Sequence, residues 1–469
     1  MDTKALRQKI LDLAIHGKLV PQDPNDEPAS VLLERIRAEK ERLIKEGKIK
    51  KGKKSAKTSD KPHYPFELPK GWEWTTLGEI SNYGINTSVK VEEIDDNNWV
   101  LELEDIEKDS AKLIQKLSKN KREIKGTRHK FYKGNVLYSK LRTYLNKVLI
   151  ASDDGYCTTE IMPFDTYGIL SNEYICHVLR SSYFLDYTLQ CGYGVKMPRL
   201  STTDACNGVI PLPPLHEQYR IVKEIKRWFT LISMIEKEKD NLRETIKQAK
   251  AKVLDLAIHG KLVPQNPNDK PAVELLKRIN PKAEIISDNG HYQKLPVGWC
   301  LTKVKDAFII NPKNKENDDI EAGFVPMANI SDGFSNHFSF ETKKWETIKS
   351  GFTHFSDGDI AVAKISPCLE NRKSMVLSNL PNGIGAGTTE LHVFRPLCVT
   401  QLYGLYFFKS NYFINKCIGT FNGVVGQQRV GKNIVECIDF PLPPLAEQQR
   451  IVAKIEEIFQ QLDMIETAL

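Results

Sequence analysis

The sequence predicts a mixed α+β chain: two α/β globules separated by long antiparallel coiled-coil helices, with a pseudo-twofold, circular organisation. Three observations lead there. Twelve residues, LDLAIHGKLVPQ, stand at Leu11–Gln22 and recur unchanged at Leu254–Gln265. PLPPLHEQYRIV at Pro211–Val222 returns as PLPPLAEQQRIV at Pro441–Val452, LPKGW at Leu68–Trp72 as LPVGW at Leu295–Trp299, and CTTE at Cys157–Glu160 as GTTE at Gly387–Glu390. Spacings this steady, 227 to 243 residues, mean two copies of one unit far longer than a solenoid repeat. The third observation is a 4-3 apolar spacing that begins at Ile221.

In chain order, residues 1–62 carry a helical segment and a tether. Lys45–Lys61 holds eight lysines with Gly and Ser, which reads as a solvated linker first and a binding segment second. Residues 63–215 form the first globule and 291–445 the second, each opening with LPxGW and closing with PLPPL. Inside them NVLYSKL and DIAVAKI, beside Gly134 and Gly358, read as strands; EYICHVLRSSYFLDYTL and QLYGLYFFKSNYFINKCI read as amphipathic helices.

Residues 216–290 hold the central helix and a linker. Its seam runs through Ile221, Ile225, Trp228, Ile232, Ile235, Lys239, Leu242, Ile246, Ala249, Val253 and Leu256, interrupted only by Lys239. Heptad spacing amid Glu and Lys argues for a coiled coil. His259-Gly260 supplies the stop, and Pro264 keeps the helix from resuming. Residues 446–469 match the first part of this helix through Ile451, Ile455, Ile458, Leu462, Ile465 and Leu469, and Leu6, Ile10 and Leu13 match its last part. The two ends of the chain are thus expected to stack into one broken helix, antiparallel to the central one.

The bulk numbers narrow the function. A net charge of +7 and a pI near 8.7 fit a polyanion partner without requiring one. Nine cysteines never form a CxxC pair, which reads as reduced thiols rather than a disulfide framework or a zinc ribbon. No apolar leader core follows Met1 and no window approaches a membrane span, so a soluble cytoplasmic protein is expected.

PLPPLxEQxRIV leading into a heptad helix that ends AIHGKLVPQ, followed by LPxGW at the head of a variable block, resembles the specificity subunit of Type I restriction-modification systems. The likeness covers nearly the whole chain. It implies that each variable block is a target recognition domain reading one half of a bipartite site in double-stranded DNA. It also implies that the helices set the spacing and dock two methyltransferase subunits, with a restriction endonuclease subunit as a further bacterial or archaeal partner. The chain itself would be non-catalytic and hold no cofactor or metal, with S-adenosylmethionine, ATP and magnesium belonging to the partners. The rival readings are a self-sufficient methyltransferase or nuclease, and a coiled-coil scaffold that reads no sequence.

Candidate chemistry is consistent with that division. The interiors of the blocks align only as a skeleton, Phe131–Gly134 with Phe355–Gly358 and Lys140 with Lys364, as reading two unlike half-sites would require. The candidate DNA contacts are Lys140, Arg142, Lys196 and Arg199 in the first block and Lys364, Arg429 and Lys432 in the second. Arg199 and Arg429 align in Gly-rich loops, where guanine recognition and a structural turn stand as alternatives. Gly426–Asn433 nearly spells a phosphate loop but lacks the hydroxyl that holds magnesium. LPPL lacks the polar and aromatic ends of an amino-methyltransferase motif, and reads as a rigid connector before a helix whose first turn gains Glu217 and Glu447. His16 and His259 read as helix-terminal structure, Cys176-His177 has no second ligand pair, and the aromatic runs around Tyr183 and Tyr403 read as core before base stacking.

Overall fold

The computed structural model describes residues 2–47, 65–194, 197–286, 295–420 and 428–469. Most of the tether, the first residues of each block and the start of the phosphate-loop-like segment lie outside them. The chain divides into two compact units, Met1–Glu238 and Lys239–Leu469, with the boundary inside a single helix, Leu215–Ile258.

The first unit begins with the helix Thr3–Ile15, whose first turn is capped by the Asp2 carboxylate accepting from the Ala5 amide. Unpaired amides at a helix start are satisfied this way at low cost. Its end is fixed by Gly17 at φ +64, where a Cβ would collide with Pro69 of the LPxGW motif. Two repeated motifs therefore meet through a glycine that no other residue can replace without strain.

The block that follows is closed at its ends: Glu73–Thr76 pairs antiparallel with Val209–Leu212. Within it lie a four-stranded sheet, ordered Thr87–Lys90, Thr127–Phe131, Gly155–Thr158, Val100–Leu101, and a three-stranded sheet centred on Val136–Ser139. The apolar run NVLYSKL is that central strand, and Val136, Leu137 and Tyr138 are buried. The second unit repeats the plan. Cys300–Lys303 pairs with Asp439–Leu442, and two four-stranded sheets follow, one containing Ile360–Ala363 and the other Ile384–Gly387.

Each long amphipathic segment is two helices rather than one. Asn172–Arg180 gives way to Ser182–Cys191 at Ser181, and Gln401–Lys409 to Asn411–Ile418 at Ser410. The serine hydroxyls explain the break: each donates back to a carbonyl, Val178 or Phe407, at 2.6 Å and accepts from the amide three residues on.

Each unit holds an antiparallel helix pair. Arg7 of the first helix bonds Ser233 and Glu236 at 2.9 Å and lies over Phe229, while Gln22 reaches Glu217 and Arg220 pairs with Asp26. In the second unit Lys250 pairs with Asp463 and lies over Phe459, while Gln265 reaches Glu447 and Arg450 pairs with Asp269. The low-numbered end of one helix thus meets the high-numbered end of the other.

The packed face keeps part of the 4-3 seam and drifts off it toward the end of the central helix, where Leu254, Ala257 and Ile258 are buried. Ile221, Ile225, Ile232, Ile246, Ile451 and Ile455 are buried, and Val253, Leu256, Ile458 and Leu462 are half-buried. Trp228, Ile235 and Leu242, expected on the same seam, are exposed by 37%, 39% and 39%. Val222 and Phe229 pack in the first unit's core instead, because this helix faces a globule as well as a neighbouring helix.

Candidate nucleic-acid interface

In the first block, strand Val136–Ser139 delivers Lys140 beside the turn that joins Gly155–Thr158 to Ile161–Phe164. The Lys140 amide donates to the Glu160 carbonyl at 3.0 Å, and the Leu200 amide donates to the Lys140 carbonyl at 2.9 Å. Leu141 and Arg199 form an isolated bridge. The Arg199 guanidinium then closes the cluster, its Nη2 lying 2.7 Å from Oε1 of Glu160.

The second block builds the same cluster from its own residues. The Lys364 amide donates to the Glu390 carbonyl and the Val430 amide to the Lys364 carbonyl, both at 2.9 Å, with Ile365 bridging Arg429. Arg429 grips Glu390 through Nε at 2.8 Å and Nη2 at 2.9 Å. That pairing holds the Glu390 carboxyl below the usual carboxylate range. The arginine side chains remain 47% and 44% exposed, against 22% and 24% for their glutamates. Each cluster therefore presents a cation on a rim, backed by a carboxylate that is mostly covered.

Two histidines sit behind these rims. His129 Nδ1 is 3.1 Å from the Ile161 carbonyl and His392 Nε2 is 2.9 Å from the Val430 carbonyl. Burial holds both imidazoles below their ordinary range, and the charges of Lys140 and Lys364 respectively push the same way. Neutral rings supply filler beneath the charged rim.

The structure thus brings Lys140 together with Arg199, and Lys364 together with Arg429. Arg142 adjoins the first pair in the left-handed region, φ 52, with its amide donating to the Pro198 carbonyl at 2.7 Å. Lys432 opens the short helix Lys432–Glu436 and pairs with Glu436 at 3.1 Å. Lys196 lies outside the described residues. Sequence reasoning overlooked Glu160 and Glu390 as arginine partners, although the signal was there: CTTE and GTTE repeat, and each glutamate precedes its arginine by 39 residues.

The most conspicuous repeated motifs form a junction elsewhere. Glu217 accepts from the Trp72 indole at 3.0 Å and from Gln22 at 3.1 Å; Glu447 accepts from Trp299 at 3.0 Å and Gln265 at 3.2 Å. PLPPLxEQ, LPxGW and KLVPQ converge on one buried carboxylate in each unit. Burial raises both carboxyls above the ordinary glutamate range, and the donated hydrogen bonds oppose that shift. Tyr174 and Tyr403 cap the Pro211 and Pro441 carbonyls, while His16 and His259 turn Nδ1 to the Asp12 and Asp255 carbonyls at 2.7 Å. Tyr403, Phe407 and Phe408 are core, and Tyr183 and Tyr187 donate to the Val209 and Asp204 carbonyls. Among the described residues no helix is long and apolar enough to cross a membrane.

A family model for the Type I restriction modification DNA specificity domain matches residues 69–244 and 296–469. The chain is 43% identical over 239 residues to the specificity subunit of the Type I restriction enzyme EcoAI of Escherichia coli, covering 47% of this chain and 41% of that protein. It is 40% identical over 239 residues to the EcoEI specificity subunit of Escherichia coli, covering 47% and 40%. The chain spans about two fifths of the length of these curated relatives. A solved structure concerned with complex assembly and conformational transition of the type I R-M system matches with a TM-score of 0.57 at 18% identity, covering 86% of this chain and 94% of that one, a likeness of fold alone.

Proposed function

Because this chain belongs to the family of Type I restriction modification DNA specificity domains, which matches it twice, we propose that it is a sequence-recognition subunit whose two blocks each read one half of a bipartite DNA site. The observation that carries this reading is the repeat itself: the same closing strands and the same Lys-Glu-Arg rim recur around otherwise unlike interiors. A common frame with differing surfaces suits a protein that must read two different base sequences.

In this reading Lys140 and Lys364 meet phosphates, and Arg199 and Arg429, with Arg142, Lys196 and Lys432 nearby, supply the remaining contacts. The chain performs no catalysis of its own. The paired helices dock two methyltransferase subunits and a restriction endonuclease in the cytoplasm, and those partners carry S-adenosylmethionine, ATP and magnesium. Selection of bound duplexes from a randomised pool by the full chain tests the proposal. Two short conserved half-sites with an unspecified gap of one length are expected; enrichment of no sequence refutes it.

A further inference from the structure

The Arg199–Glu160 and Arg429–Glu390 pairs stand at the same place in blocks that otherwise differ, the first through Nη2 and the second through Nε and Nη2, and that shared placement constrains what they read. Where Arg142 stands in the first block, the second has a turn through Ser366-Pro367. Yet the arginine, its glutamate, the backbone bonds to Lys140 or Lys364 and the separation of 39 residues are all kept.

An arginine that only has to meet phosphate gains nothing from a carboxylate at 2.7 Å. The pair is close to neutral and releases little counterion, and the carboxylate repels phosphate oxygens. A glutamate does help an arginine that must present its fork to a neutral acceptor, since it fixes the long side chain before binding and removes part of the ordering cost. In the first block Glu160 takes a donor on Nη2 only, and a guanidinium carries five. The base edge that best matches a guanidinium fork is guanine, with O6 and N7 side by side in the major groove.

We propose that Glu160 and Glu390 are positioning residues that aim Arg199 and Arg429 at a guanine, and that the two half-sites therefore share a guanine at the corresponding position. The inference rests on the DNA-reading function proposed above. The lysine one strand away keeps the phosphate contact, and the glutamate excludes phosphate from the arginine.

Randomised-duplex selection and salt titrations with the full chain test this, using Glu160→Gln, Arg199→Lys and the matching Glu390→Gln and Arg429→Lys variants. The parent should select a guanine in each half. Arg199→Lys should lose preference at that one position by about 10- to 100-fold, with the other half untouched. Glu160→Gln, nearly isosteric, should relax the same position, bind random DNA more tightly, and steepen the salt dependence by about one unit as Arg199 turns to phosphate. The Glu390 and Arg429 variants should repeat this in the other half. A role confined to holding the turn would raise affinity for selected and random DNA alike, through the lost negative charge, without relaxing preference at that one base. A parent that selects no sequence overturns the DNA-reading function and this inference with it. A selective parent whose half-sites lack a common guanine, or whose Glu160→Gln variant keeps the parental base preference and salt dependence, overturns the inference alone.

Discussion

The indole nitrogen of Trp72 donates to Oε2 of Glu217 across 3.0 Å, joining residues 145 apart in the sequence. Gln22 donates to the other oxygen at 3.1 Å, so one carboxylate ties the head of the block, the end of the first helix and the start of the central helix. Glu217 is 1% exposed, and removing it strands the buried Trp72 indole donor, whereas Gln22 keeps the Gly17 carbonyl at 2.6 Å. Glu217→Ala should destabilise the first unit by about 1–3 kcal/mol for the stranded indole donor, read as a lower midpoint in urea. An unchanged midpoint would mean that water replaces the carboxylate at no cost.

Lys409 offers a pH-dependent counterpart in the second unit. Its ammonium is buried at a helix end, donating to the Gly333 and Arg372 carbonyls at 2.8 and 2.9 Å. Burial, reinforced by the Arg372 charge, lowers its pKa to about 7 from 10.5. The unfolded chain then binds more protons than the folded one between those values, so this group's contribution grows as pH rises through that window and is lost as pH falls toward 7. Lys409→Met should flatten the stability profile between pH 7 and 10, as followed by chemical denaturation. A profile as steep as the parent's would place the titration elsewhere.

Lys140 and Lys364 should behave as phosphate contacts. Alanine at either should weaken binding to selected and random duplexes alike and lower the slope of log affinity against log salt by about one. Loss of preference at a single base would instead make that lysine a base reader.

How much of this was legible depended on the range of each interaction. The repeats, the helix stops at Gly17 and Gly260, and the strands Val136–Ser139 and Ile360–Ala363 are written in local pattern, and sequence reasoning located them. The Ser181 and Ser410 breaks were also local, but the surrounding helical periodicity masked the serines. Trp228 and Ile235 sit on the same 4-3 row as the buried Ile225 and Ile232, and periodicity alone does not say which positions of a row a neighbour covers. The repeats mark out Glu160 and Glu217, but their partners come from 39 and 145 residues away, and only the fold brings each pair together.

The central helix offers a test of spacing. Four residues inserted after Lys239 add about 6 Å at ~1.5 Å per residue. The unspecified gap between half-sites should lengthen by about one or two base pairs while both half-sites stay the same, as seen in selected duplexes. A gap of unchanged length in a variant that still selects both half-sites would mean that the helix does not measure DNA.

The most direct test of two independent readers is exchange of one of them. Pro65–Leu212 carries the first block, bounded by strands that pair with each other, Glu73–Thr76 with Val209–Leu212. Replace that segment with the equivalent block of a relative, express the chain with methyltransferase partners, and read the methylated sequence across the host genome. One half of the site should change to the donor's and the other half should remain as in the parent. Loss or alteration of both halves would contradict the account.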